Sequence, residues 1–463
     1  MNKYFLIMLA MMAAISLNSC SDDDDEVTAS TSSSSTSTSD DDSSSDDTTT
    51  DDDDTASSSY PSNAIVWEQG STITLDSHFV VEEGTSLYIE PGVTVVADNE
   101  DVKPEIIVLG NLYAMGTEDE PILFTVADEY KTDRFSRMWG GIICGYDSEE
   151  VLLSHVTIEY GGAITTEESY SFQYGLFKTE TGEGVPAFHF CNPDGQFVIT
   201  DCIFRNNAED QIYITGGKSI VVNNTFYTSG YDGGEAINYK SGCQADIAYN
   251  LIYDANTNAF KLSNSGLSVD TEASHLVIYN NTIVNTGWRR PKVKGGSIWL
   301  EANIYAELYN NLIYDCRYAL KHDTSDPENS KSVYTPNYYF ASTQTGVDQM
   351  QADEENGIVN GADDIISSTP GEYDPLFVGF TQQSNIDVNT GLNDGANEPD
   401  EFDESWDFHL SASSPALTGG NTNFTRIYAS DAISFSGLDS SMPVSVSYTS
   451  PAPAEYFGSF GEK

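Results

Sequence analysis

The segments NNTI (280–283) and NNLI (310–313) repeat one pattern thirty residues apart. Four more segments align with them: HVTI (155–158), TDCIF (200–204), NNTF (223–226) and YNLI (249–252). Their apolar anchors are Ile158, Ile203, Phe226, Ile252, Ile283 and Ile313, at spacings of 45, 23, 26, 31 and 30. The first gap reads as two steps with one divergent copy between. A second apolar position follows each later anchor, at Ile212, Ile237, Phe260, Ile298 and Leu320. A short unit with two or three brief strands is one coil of a solenoid, and a fixed repeat is the mark of such folds. The sequence therefore predicts an all-β chain wound as a right-handed parallel β-helix. A propeller would need blades of about 40–50 residues. Asn224, Asn250, Asn281 and Asn311 each stand two residues before an anchor. Stacked on one another at a bend, they would satisfy backbone groups through their side chains.

The surrounding sequence has the same texture. SLYIE, IIVLG, PILFT and QFVITDCIF are short runs rich in Val, Ile, Tyr and Phe, broken by Gly, Asn and Asp, as strands are. An insert is expected over about 325–405, with the Tyr cluster of YTPNYYF (334–340) either its packing core or a sugar platform, packing being preferred. The segments 65–81 and 445–461 are expected to cap the ends, since open strand edges invite pairing.

The chain begins differently. Tyr4–Leu17 is an apolar run behind Lys3, too short for a spanning helix, which needs roughly 20 apolar residues. It reads as a secretory signal, residues 1–19. Leu17-Asn18-Ser19-Cys20 resembles the lipobox of bacterial lipoproteins, which implies lipidation at Cys20 and a membrane held through acyl chains. Ser21, Asp22, Asp23, Asp24 and Asp25 resemble the export signal that carries Bacteroides-type lipoproteins to the outer face of the outer membrane. Residues 20–59 are otherwise Ser, Thr and Asp with almost nothing apolar to bury, so a disordered acidic spacer is expected ahead of a folded body at 60–463.

The net charge is -54, and the body beyond the spacer holds 59 acids against 18 basic residues. Nucleic acid is excluded as a partner, because phosphate binding needs a basic footprint. The acidic coat permits calcium, although no motif demands a cofactor. The stretch 387–394 fails the EF-hand pattern at Gly391. Cys144, Cys191, Cys202, Cys243 and Cys316 form no CxxC pair, so buried thiols are expected and no metal site.

A wider resemblance rests on Glu90-Pro91-Gly92-Val93, Gly116-Thr117, Trp139-Gly140-Gly141 and Tyr160-Gly161-Gly162, and on the closing segments DPLFVGF (374–380), WDFHLSASSPALTGG (406–420) and EYFGSFG (455–461). Together these resemble the right-handed parallel β-helix surface lipoproteins of Bacteroidetes. The resemblance implies fold and compartment. It does not imply one activity, since one fold hosts many.

For activity, position matters most. Four of the 18 basic residues fall within six positions, Arg289, Arg290, Lys292 and Lys294, beside Trp288. The 15-residue gap from Ile283 to Ile298 exceeds the 7–11 of other coils, so a protruding loop is expected there. A cationic, aromatic loop can grip uronate or sulfate and stack on a sugar face. Arg317 and Lys321, followed by His322, lie one coil on. A lyase would take its base from such residues. No motif of galacturonan hydrolases is present. The first reading is thus a surface protein that binds extracellular glycan or host surface material without chemistry. The competing readings are a polysaccharide lyase or glycoside hydrolase on the same scaffold, and a purely adhesive protein. Groove residues with perturbed ionisation would favour the enzyme; a face of Ser, Thr and Asn would not.

Overall fold

The computed structural model describes residues 60–176, 180–231, 233–266, 272–290, 295–380, 382 and 401–463. Cys20 and the acidic residues after it lie outside them. Among the described residues nine coils each contribute one strand to each of three sheets, parallel throughout except where Ile358–Val359 pairs antiparallel to Leu320–His322. The first sheet runs from Ile65–Trp67 to Tyr305–Tyr309, the second from Thr72–Leu75 to Ile365–Ile366, and the third from Phe79–Val81 to Ile358–Val359. The winding is right-handed, as parallel crossovers are.

Successive coils stack in register. Phe204 pairs with Phe226, Phe226 with Ile252, Ile252 with Ile283, and Ile283 with Ile313. Ile212, Ile237, Phe260, Ile298 and Leu320 form a matching row in the third sheet. Both rows are sealed in the core. Two expectations are corrected. Ile158 pairs with Phe204, so the anchor in TDCIF is Phe204 and Ile203 stands one position off, opposite Thr157. No coil is missing from the long first gap either: Val156–Glu159 pairs directly with Ile203–Asn207, and the extra residues form an excursion containing the short helix Tyr170–Gln173.

The corners are built from left-handed residues. His155, Asp201, Asn223, Tyr249, Asn280 and Asn310 all have φ of 50–59° where the first sheet turns into the second. Asn adopts this conformation at little cost because its short side chain bonds locally. Beside that corner the asparagine ladder forms as expected. Asn224, Asn250 and Asn281 each donate from Nδ2 to the next asparagine's Oδ1 at 2.9 Å, and Asn311 passes the chain on to Asn337.

The segments expected as caps do other work. Ile65–Trp67, Thr72–Leu75 and Phe79–Val81 are the strands of the first coil. Tyr338–Phe340, expected inside an insert, adds a strand to the second sheet. The C-terminal segment then runs back along the outside. Tyr428, Ile433, Phe435 and Leu438 cover an apolar stripe on the first sheet that includes Tyr88, Tyr113, Val198 and Val277. Phe380, Phe408, Leu410 and Phe457 cover Tyr253, Leu312, Tyr314 and Tyr338 on the second. Buried carboxylates fasten the cover: Glu150 accepts from Ser436 N at 2.9 Å, and Asp246 from Ile427 N at 3.0 Å and Tyr428 N at 2.8 Å. Two of the three outer faces are therefore apolar and closed.

Candidate functional site

The third sheet is different. From its fourth strand on it carries alternating triads, FHF (188–190), IYI (212–214), INY (237–239), FKL (260–262), IWL (298–300) and LKH (320–322), while in its first three strands Val80, Ile107 and Ile143 lie under Tyr170, Leu176 and Val185. Side chains alternate across a strand. The outer members of the triads enter the core, His322 apart, so the middle ones face outward as a row: His189, Tyr213, Asn238, Lys261, Trp299 and Lys321. Sequence reasoning saw the apolar members and missed the middle row. The alternation within each triad was the signal that would have found it.

Two flanking rows widen this face. Asp210, Glu235 and Asn258 each stand two residues before their triad, and Lys240, Ser263 and Glu301 follow theirs. Asp210 accepts from Glu235 N at 2.7 Å through Oδ1 and from Asn238 Nδ2 at 2.9 Å through Oδ2. Glu235 Oε1 accepts from Asn258 Nδ2 at 3.2 Å. Desolvation pushes the Asp210 carboxyl well above its ordinary range, and the Glu235 carboxylate beside it pushes it further. The buried Asn238 Oδ1 has no hydrogen-bond partner. Burial also lowers His189 to about 4, so this imidazole is neutral; its Nδ1 lies 2.8 Å from Tyr213 O.

The lysines sit in unlike surroundings. Lys261, 5% exposed, has Nζ 3.8 Å from Glu301 Oε1. Trp299 Nε1 donates to the other oxygen of Glu301 at 2.5 Å. Lys240, 4% exposed, donates to Ser265 Oγ at 3.2 Å and lies 5.8 Å from the centre of the Tyr213 ring. Lys321 lies 4.4 Å from the Tyr318 ring centre. Lys240 and Lys261 are diagonal neighbours on adjacent coils, a relation that separates Cα atoms by about 7–8 Å.

Of the described residues among those singled out for ligand contact, Lys321 alone joins this face. Trp288, Arg289 and Arg317 were expected on a protruding loop or next to it; all three are buried instead. Trp288 is 2% exposed and donates from Nε1 to Asp315 O at 2.7 Å. Arg289, 3% exposed, pairs with Asp254 at 2.9 Å and donates to the carbonyls of Gly230, Ser229 and Asp254, each at 2.8 Å. Arg317 donates to Gly287 O at 3.1 Å and lies 5.6 Å from the Trp288 ring. The physical reason is local. Asp254 is a buried, left-handed corner residue, and its charge needs a partner among carbonyls that need donors. Arg290 is half-buried against Gly233. Lys292 and Lys294 lie outside the described residues.

Two family descriptions match this chain: a pectate-lyase like beta helix domain over residues 59–179, and a right handed beta helix region over residues 186–362. A solved structure, a point mutant of the PL6 family alginate lyase AlyGC, is similar at 14% identity with a TM-score of 0.30. That match covers 65% of this chain and 48% of the lyase, so it spans less than half of that enzyme's length. No curated protein matches the chain.

Proposed function

We propose that this right-handed β-helix protein is a polysaccharide lyase, cleaving a uronate-bearing glycan by β-elimination on the outer face of its third sheet. One observation carries the reading. Desolvated lysines and two neighbouring carboxyls gather on an outer face that, among the described residues, the C-terminal segment does not cover. Perturbed titratable groups gathered in one place mark a candidate functional site. The pectate-lyase like description of residues 59–179 agrees with this choice.

Elimination needs three groups. The proton beside the uronate carboxyl must go to a base, the carboxylate must be neutralised, and the leaving glycosidic oxygen must gain a proton. Lys261 faces the Glu301 carboxylate, which holds it in the charged form suited to neutralising the substrate carboxylate. Lys240 lies against Ser265 Oγ and the Tyr213 ring and takes the proton. The C–O bond at the neighbouring carbon then breaks with formation of the double bond, and Tyr213 supplies the proton to the departing oxygen. Asp210, Glu235 and Asn238 Oδ1 offer oxygen atoms alone, which suits a hard cation such as calcium. Among the described residues no group of three or more His, Cys, Asp or Glu gathers, so substrate and water would complete the shell. Calcium bound there would add positive charge against the uronate carboxylate.

The second reading is glycan binding without chemistry, and the pairing of Lys261 with Glu301 favours it, since a paired lysine can recognise without reacting. In either case the lipid at Cys20 would hold the body on the outer membrane, facing outward. The test uses the mature chain with alginate, pectate and glucuronan-type polymers, with calcium and with chelator, following the ultraviolet absorbance of unsaturated uronate. Absorbance that grows, and is lost in Lys240→Ala and Lys261→Ala proteins of unchanged circular dichroism, supports the lyase. Binding without product across the panel sinks it in favour of the second reading.

A further inference from the structure

The outward row of the third sheet changes character along its length. In the first three coils it is apolar, with Val80, Ile107 and Ile143, and from the fourth coil it is polar, beginning with His189. The excursion between Val156–Glu159 and Phe188–Phe190 accounts for the change. In its described residues, 163–176 and 180–185, it folds back toward the N-terminal end of the solenoid. Leu176 and Val185 bury Ile107 and Ile143, with Tyr170 and Val80 packed at the margin. His189, next in the row, is also buried and meets the Leu176 backbone.

The excursion is fastened at several points. Its two limbs pair, Thr165 N donating to Glu183 O at 2.8 Å and Val185 N to Ala163 O at 2.9 Å. The buried Glu105, at the start of the second-coil strand Glu105–Val108, accepts from Ser171 N and Ser171 Oγ, each at 2.7 Å. A buried carboxyl that needs these donors holds the contact in place. The Tyr170 ring stacks on His78, with centroids 4.3 Å and planes 18° apart. Glu167, Glu168 and Glu180 are exposed on the outside of the excursion.

The lysines stand on the other side of His189. Lys261 is three coils beyond it and Lys321 five. Three coils are roughly 14 Å at the spacing of adjacent strands. An acidic chain laid along the row over Lys261 meets, in the N-terminal direction, a packed apolar block carrying carboxylates, and like charges repel. We propose that the excursion is an end stop, so that the third-sheet face takes the terminus of a polyuronate chain and not its middle. Between the stop and Lys261 there is room for a short run of sugar residues, and cleavage there releases short pieces from one end. This rests on the third-sheet face being the glycan site.

The mature protein and a variant without the stop are compared on long polyuronate chains and on the same polymer partly hydrolysed. In the variant an Asn-Gly turn replaces 165–183 between Ile164 and Gly184, which already bridge. Val80→Thr, Ile107→Thr and Ile143→Thr keep the uncovered strands soluble. The parent releases short unsaturated products of uniform size from the first time point, with little loss of viscosity. At equal mass its initial rate rises in proportion to the number of chain ends. The variant loses that dependence, yields mixed lengths and thins the polymer. The parent's pattern decides alone if the variant does not fold. A parent that thins the polymer at once and yields mixed lengths overturns the stop and leaves the lyase standing, and a variant with the parent's uniform products overturns the stop as well. If neither protein forms product, binding decides: parent binding that follows the number of chain ends upholds the stop on a face that only binds, and binding that follows mass overturns it. Neither product nor binding overturns the stop together with the reading it rests on.

Discussion

Asn281 donates from Nδ2 to Asn311 Oδ1 at 2.9 Å while its own Oδ1 accepts from both the backbone and the side chain of Asn250, at 3.0 and 2.9 Å. One side chain thus serves three coils. Asn281→Ala strands buried donors and acceptors on either side, each costing about 1–3 kcal/mol. Urea denaturation is expected to show a loss of at least about 3 kcal/mol. Asn63→Ala, at an exposed position, should stay within about 0.5 kcal/mol. Equal effects at the two sites would refute a structural role for the ladder.

Arg289 is a strut in this fold. Arg289→Ala leaves Asp254 charged and unpaired in the interior, a change that costs about 3–5 kcal/mol. Arg289→Lys should recover little, because an ammonium cannot serve one carboxylate and three carbonyls with the same fork. The check is thermal unfolding of both variants. A parent-like melting temperature in Arg289→Ala would return this residue to the list of ligand contacts.

Asp315 sets a pH dependence. Burial raises its carboxyl to about 6, against about 3.9 in an unfolded chain. The native state binds the proton more tightly. Its contribution to stability is therefore complete below about pH 4 and is lost as pH rises through about 6. Asp364, also raised to about 6 chiefly by burial, acts in the same direction. Asp315→Asn keeps an oxygen to accept from Ser342 N and removes the charge. Its melting temperature should exceed the parent's at pH 8 and converge on it near pH 4. A constant difference across that range would contradict the assignment.

The carboxyl pair on the third sheet gives a binding prediction. Calcium should raise the melting temperature of the parent, by mass action worth about 2.7 kcal/mol at a hundredfold excess over Kd. Asp210→Asn should lose the response, since one of the two carboxylates is gone. Sodium at equal ionic strength is the control. An Asp210→Asn protein that still responds to calcium would place the ion elsewhere.

Much of this fold was legible because its signals are periodic. Anchors, second apolar positions and the asparagine row all repeat coil by coil. The errors came where the period broke. In TDCIF the marker asparagine is replaced by Cys202, so the phase slipped by one residue and Ile203 was taken for Phe204. The excursion around Tyr170–Gln173 lengthened one coil and resembled a missing one. The basic segment misled for another reason. A run of cations looks exposed until its acid is known, and Asp254 lies 35 residues before Arg289. The site was hidden by economy: each coil places one outward residue in the third sheet, so no local motif ever forms.

The returning C-terminal segment changes how this molecule should come apart. Stacked coils interact with their neighbours and can fray singly from an end. Here Tyr88, in the second coil, donates to Gly437 O at 2.9 Å, across 349 residues of chain, and Tyr279 donates to Pro451 O at 2.6 Å. Early and late coils are thereby strapped to one strip, and losing either loosens the other. Unfolding should be a single cooperative event where an unstrapped solenoid would unzip. The strip is also made after the coils it covers, so their aromatic stripes stay open until it has emerged. A protein cut short before Phe424 would present the first-sheet stripe to solvent, and aggregation would report the loss.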